Sequence, residues 1–124
     1  MPIYRKPSIQ REIPLLYQVF YYFSASDTAV SSIHPLSMHI RALRELLDRL
    51  GPEDYIGLLD GEERVLQILQ DSKDPRRFWV ELPLDAAKAS YGKSMSRKEL
   101  EAFLRNLPNA FEVNQIPGLD YRPW

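Results

Sequence analysis

Tyr55-Ile56-Gly57-Leu58-Leu59-Asp60-Gly61-Glu62-Glu63-Arg64-Val65-Leu66-Gln67-Ile68-Leu69-Gln70 sets two short apolar runs on either side of an Asp-Gly pair. Asp-Gly between apolar runs is a strong signal for a tight reversal, because both residues tolerate the backbone that a short hairpin turn needs. The runs therefore read as two antiparallel strands, Tyr55 to Leu59 and Arg64 to Gln70. Val65, Leu66, Ile68 and Leu69 would also suit one face of a helix, and the turn and the short length of the runs decide for strand.

Downstream, Ser72-Lys73-Asp74-Pro75 marks a second reversal into Phe78-Trp79-Val80-Glu81-Leu82, with Phe78, Val80 and Leu82 on one face and Pro83 ending the strand. Upstream, Leu15 to Phe23 is rich in β-branched and aromatic residues and apolar on both alternating faces, the pattern of a strand covered on both sides. Ser24 to Ser32 reads as a loop, or as a fraying continuation of the same strand. A helix then runs from Pro35 to a left-handed cap at Gly51-Pro52, with Leu36, Ile40, Leu43, Leu47 and Leu50 as its apolar stripe. The i,i+4 pairs Arg41/Glu45, Arg44/Asp48 and Glu45/Arg49 mark its solvated side.

Ser96-Arg97-Lys98-Glu99 is a capping box, and it opens a second helix with Leu100, Phe103, Leu104 and Leu107 inward and Pro108 as its stop. Residues 109–124 show no period, yet Phe111, Val113, Ile116, Leu119, Tyr121 and Trp124 make them too apolar for a free tail. They are expected to wrap over the domain or to meet a partner. The expected fold is α+β: one domain over 1–124, an antiparallel sheet of about four strands, two main helices packed on it, an N-terminal extension over 1–12 and an irregular C-terminal tail.

Composition fits a folded domain, with 44% hydrophobic and 27% charged residues. The net charge of −1 conceals blocks: residues 51–72 carry −5 and residues 73–98 carry +4. Such blocks bear on partners rather than on fold. The absence of cysteine removes disulfides, thiolate metal sites and a cysteine nucleophile, and points to a reducing compartment, the cytoplasm. No apolar run is long enough for a membrane span, and Met1 to Arg11 lacks a signal core.

Catalytic chemistry finds no constellation. His34 and His39 are five apart and do not share a helix face as i,i+4 metal ligands would. The five glycines form neither a phosphate-binding loop nor a nucleophile elbow, and Glu62 and Glu63, read as strand neighbours, point to opposite faces. No enzymatic activity, cofactor or metal is expected. Arg76, Arg77, Lys88, Lys93, Arg97 and Lys98 lie near Phe78, Trp79 and Tyr91, a mixture that nucleic-acid binding uses, but the slightly negative whole chain argues against that partner. A small-molecule pocket between the aromatic strand and the first helix is a further alternative.

The reading that remains is a protein-binding domain. Its expected contact residues are Glu53, Asp54, Asp60, Glu62 and Glu63 as an acidic hairpin surface, with Tyr55 and Trp79 as aromatic anchors. Tyr91, Tyr121 and Trp124 are further anchor candidates.

The order of elements, a leucine helix (Leu36 to Leu50), a hairpin (Tyr55 to Ile68), the Phe78–Leu82 strand and a short closing helix (Arg97 to Leu107), resembles the small α+β immunity proteins that bacteria encode beside secreted or contact-delivered toxins. That resemblance implies a cytosolic inhibitor that binds one cognate toxin across a basic active-site cleft and has no activity of its own.

Overall fold

The structure is a computed structural model and describes residues 15–124; the expected N-terminal extension lies outside the described residues. Eight strands form one antiparallel sheet: β1 (Tyr17–Phe23), β2 (Thr28–Val30), β3 (Leu36–Met38), β4 (Tyr55–Leu59), β5 (Val65–Gln70), β6 (Phe78–Leu84), β7 (Ala89–Met95) and β8 (Asp120–Pro123). Their order is β2-β1-β4-β5-β6-β7-β8, with β3 beside β2 on the same edge of β1. Two helices, α1 (Ile40–Arg49) and α2 (Arg97–Arg105), complete the described elements together with single 3-10 turns at Asp85–Ala87 and Val113–Gln115.

The expected sheet of about four strands is therefore wrong, and each added strand has a physical reason. Strand β7 reads Ala-Ser-Tyr-Gly-Lys-Ser-Met, with little β propensity, and is held by a ladder in which all seven of its residues pair with β6. Strands β2 and β3 are three residues each, too short to show a period, and lie antiparallel along β1. Strand β8 ends on Pro123, which an edge strand accommodates. Pro83 does not end β6: it pairs with Ser90 of β7, beyond Glu81, the last β6 residue that β5 pairs with, so no β5 bond is lost there.

Helix α1 starts at Ile40 rather than Pro35, because Leu36–Met38 is drawn into the ladder with Val19–Tyr17. Leu36 is accordingly exposed, and Leu43, Leu46 and Leu47 form the buried stripe. Gly51 does not take a left-handed cap; its N–H donates to Asp54 Oδ2 at 2.8 Å. In α2 the capping box forms as expected, with Glu99 N–H donating to Ser96 Oγ at 3.1 Å and Ser96 N–H donating to Glu99 Oε1 at 2.7 Å. Arg44 and Asp48 leave their own helix to pair with Glu101 and Arg97 of α2, at 3.2 and 2.7 Å.

Both helices pack on one face of the sheet. Val19, Ile56, Leu58, Leu66, Ile68, Val80, Leu82 and Met95 from alternate strand positions bury against Leu43, Leu46, Leu47, Leu100 and Leu104. The tail adds Phe111 and Ile116 to that core before β8 joins the edge. The opposite face carries Gln18, Phe20, Tyr22, Tyr55, Leu59, Val65, Gln67, Leu69, Trp79 and Glu81, all half-buried, and no described helix covers it.

Candidate functional site

The expected contact residues separate into three places. Glu53 and Asp54 precede β4, whereas Asp60, Glu62 and Glu63 follow it, so a five-residue strand holds the two groups roughly 16 Å apart. Glu53 is exposed, but Asp54 is 5% exposed and accepts hydrogen bonds from the Ser24 N–H, the Ser24 hydroxyl and the Gly51 N–H at 2.8, 3.0 and 2.8 Å. Burial raises its carboxyl, and the Ser24 and Gly51 bonds together outweigh burial and hold it below the usual value. Asp54 ties the β1 end to the β4 entry and does not face outward.

Asp60 is likewise internal, with its side chain 1% exposed. It accepts from the Glu62, Arg64 and Phe111 backbone N–H groups at 2.9, 2.8 and 2.8 Å and from Arg64 Nε at 2.8 Å. Burial opposes its ionisation, but the backbone donors and the guanidinium prevail and lower its pKa. The turn is longer than an Asp-Gly pair alone implies: Asp60 N–H donates to Arg64 O, and Glu63, at φ 64°, supplies the left-handed residue. Glu62 and Glu63 are therefore loop neighbours, not strand neighbours, and both are exposed.

Around this hairpin end, separate segments of the chain converge. Arg64, fixed by Asp60, approaches Glu62 Oε1 at 3.7 Å and Glu112 Oε1 of the tail at 4.0 Å. Beside it lies an open cleft of about 430 Å³ lined by Val65, Leu82, Pro83, Leu84, Phe111 and Val113, with Arg64, Asp85 and Glu112 at its polar margin. Asp85 and Glu112 are exposed at this margin, Glu62 is exposed beside Arg64, and Glu63, also exposed, borders a separate cleft with Ile33, Pro35 and Leu59. Asp85 and Glu112 had no sequence signal: each is a lone acid in a segment of unassigned structure, and only the fold sets them beside the hairpin.

Tyr55 and Trp79 share the outer face, with β5 between their strands. Tyr55 packs edge-on to Phe20 and at a tilt to Tyr22, each at 6.1 Å between ring centroids. Phe20 lies across Gly57, where an added Cβ would fall 2.0 Å from its ring, and Trp79 lies across Gly92 in the same manner at 2.5 Å. Trp79 is capped by the Arg122 guanidinium, 4.0 Å from the ring centroid, and its Nε1–H donates to Glu81 Oε1 at 2.9 Å, which Ser90 also reaches. Tyr91 and Tyr121 pair with each other across β7 and β8, and Trp124 is exposed.

Half of the basic set weighed for nucleic acid is engaged internally. Arg76 pairs with Asp74, Arg77 with Ser94 and Glu99, and Arg97 with Asp48 and Glu101. Val19, Phe23, Leu43 and Leu47, from the strand and helix of the pocket alternative, are buried in the core cluster. Among the described residues no three His, Cys, Asp or Glu side chains gather as a metal site, and no helix is long and apolar enough to cross a membrane. No protein-family model, curated protein or solved structure matches the chain.

Proposed function

We propose that this chain is a non-catalytic protein-binding domain and, within that class, a cytoplasmic immunity protein that occupies the basic cleft of a cognate bacterial toxin. The observation that carries the binding reading is the cleft at the hairpin end, where apolar Val65, Leu84, Phe111 and Val113 are rimmed by the carboxylates of Asp85 and Glu112, with the exposed carboxylates of Glu62 and Glu63 on the adjoining turn. An apolar floor supplies the desolvated contact that holds a partner side chain, and a charged rim steers a basic surface toward it. The Asp60 bonds support this arrangement by joining the hairpin turn, Arg64 and the tail, so the carboxylates are presented from a braced frame. A basic protein suits this end better than a nucleic acid, whose phosphates it would repel.

Co-expression tests the immunity reading. The protein encoded beside this one should arrest growth when produced alone and be harmless when produced with this chain, and the two should co-purify in a salt-sensitive complex. A neighbouring product that is harmless alone, or whose toxicity this chain leaves untouched, counts against immunity. A complex that survives Glu62→Lys, Glu63→Lys and Glu112→Lys together would remove the acidic end from the reading.

A further inference from the structure

The outer face of the sheet is more apolar than a solvated face needs to be. An antiparallel sheet with one wet face alternates apolar and polar residues, yet β1, β4 and β5 put Phe20, Tyr22, Tyr55, Leu59, Val65 and Leu69 on the side away from the helices. Contiguous apolar surface of this kind marks an interaction site.

Charge selects the occupant. The sheet between Gln18 and Ser94 offers one carboxylate on this face, Glu81, already bonded to Trp79 and Ser90; edge strand β8 adds Arg122, stacked on Trp79, and Asp120, and Asp71 and Arg77 both bond the Ser94 hydroxyl at the corner. These few charges of both signs nearly cancel and leave little for a highly charged partner to complement. A nearly neutral face is what a two-fold axis tolerates, since it sets the same patch against itself.

We propose that this face is a homodimer interface, with two copies stacked about a two-fold axis over Gln67. Gln67 is the middle of the row Phe20-Gly57-Gln67-Glu81-Gly92, which crosses β1, β4, β5, β6 and β7. Strand alternation and an axis that lies between the two sheets, along β5 and over Gln67, set Trp79 over Tyr55 of the second copy, Pro83 over Leu59, and Leu69 and Val65 each over its own counterpart, and leave Gln18 opposite Ser90. Five strands about 4.8 Å apart and five residues of about 3.3 Å each make a face of roughly 24 by 16 Å. With side-chain relief the pair buries on the order of 1,000 Å², at the threshold of a specific interface, so the dimer is reversible. Val65 and Pro83 border both this face and the acidic cleft, so the two surfaces adjoin, but Gln67 lies outside that cleft and its variants test the dimer separately from the toxin reading.

Sedimentation velocity from low to high micromolar concentration tests it. Wild type should shift from monomer to dimer. Gln67→Lys should weaken the dimer at least about tenfold by placing two cations at the axis, and mixing Gln67→Lys with Gln67→Glu chains should restore it. Gln67 is a half-exposed polar residue outside the core cluster, and an unchanged melting curve at low concentration would show that each variant folds. A wild type that stays monomeric, a Gln67→Lys chain that dimerises normally, or a mixture that stays monomeric overturns the proposal; the first would leave the face to a different protein.

Discussion

The Asp60 carboxylate accepts the Phe111 backbone N–H at 2.8 Å, joining residues 51 apart in sequence. Phe111 is buried beside the core, so the bond fixes both where the tail leaves α2 and how the β4–β5 turn is held. One side chain thus closes the turn, orients Arg64 and anchors the tail, and each of its four donors loses its partner if it is removed.

Asp60→Asn should cost about 2–4 kcal/mol, because one amide oxygen cannot serve the donors that two charged oxygens serve. Its pKa is lowered in the folded state, so its stabilisation is present above the unfolded carboxyl value of about 3.9 and is lost as pH falls through the folded pKa. Melting temperatures measured from neutral pH downward should fall for wild type below about pH 4 and fall less for Asp60→Asn. Asp54, shifted in the same direction, keeps some acid sensitivity in the variant. Parallel pH profiles for the two proteins would refute this role.

Glu63 sits at φ 64° with its side chain exposed. A left-handed backbone costs a non-glycine residue about 1 kcal/mol, partly offset because glycine loses more entropy on folding. Glu63→Gly should therefore stabilise the domain by about 0.5 kcal/mol, read as a higher urea midpoint at unchanged slope. A lower midpoint would mean that the Glu63 carboxylate contributes to the fold in a way its exposure does not suggest.

How much of this was legible in the sequence depends on whether the signal was local. The capping box at Ser96 and Glu99 is written in four adjacent residues and formed as read. The hairpin strands Tyr55–Leu59 and Val65–Gln70 were also legible, though the turn between them recruits Glu63 and not Asp-Gly alone. Strand β7 was not, because Ser90, Gly92 and Ser94 are there for what lies over or beside them: Trp79 covers Gly92, and Ser90 and Ser94 bond Glu81 and Asp71. Asp54 and Asp60 looked like exposed acids in an acidic block, since composition does not distinguish a solvated carboxylate from one bound by backbone N–H groups. The outward placing of Trp79, by contrast, followed from simple alternation with Phe78 and Val80 and is what the register shows.

Gly92→Ala would put a methyl group 2.5 Å from the Trp79 ring. The ring must lift, which also strains its bond to Glu81 and its stacking with Arg122. A cost of about 1–3 kcal/mol is expected, with a red shift of Trp79 fluorescence as the indole meets water. Trp79→Phe with Gly92→Ala should cost less than the sum of the two single changes, and strict additivity in chemical denaturation would show that the two residues are not coupled.

Arg122→Gln removes the cation over Trp79 without adding bulk. Its cap is at an edge strand whose four residues are all exposed, so the effect on stability should be small, about 0.5–1 kcal/mol. Amide exchange should rise in β8 and leave β4 and β5 unchanged, because β8 is held to the sheet by β7 alone. Faster exchange throughout the sheet would mean that β8 closes the fold rather than decorating its edge.

Tyr17 links β1 to α2: its hydroxyl donates to the Leu104 carbonyl at 2.7 Å inside the core, in the last turn of the helix. Tyr17→Phe keeps the ring and leaves that carbonyl without its partner, so a loss of about 1–2 kcal/mol is expected. Burial raises the Tyr17 pKa and outweighs the opposing pull of Arg105. A folded pKa above the unfolded value means that the stabilisation is complete below the unfolded tyrosine value of about 10 and is lost as pH rises through the folded pKa. Wild type should then lose melting temperature above about pH 10, and Tyr17→Phe should lose less over the same range while starting lower. Identical alkaline profiles would place the titrating group elsewhere and leave the hydroxyl only its hydrogen bond.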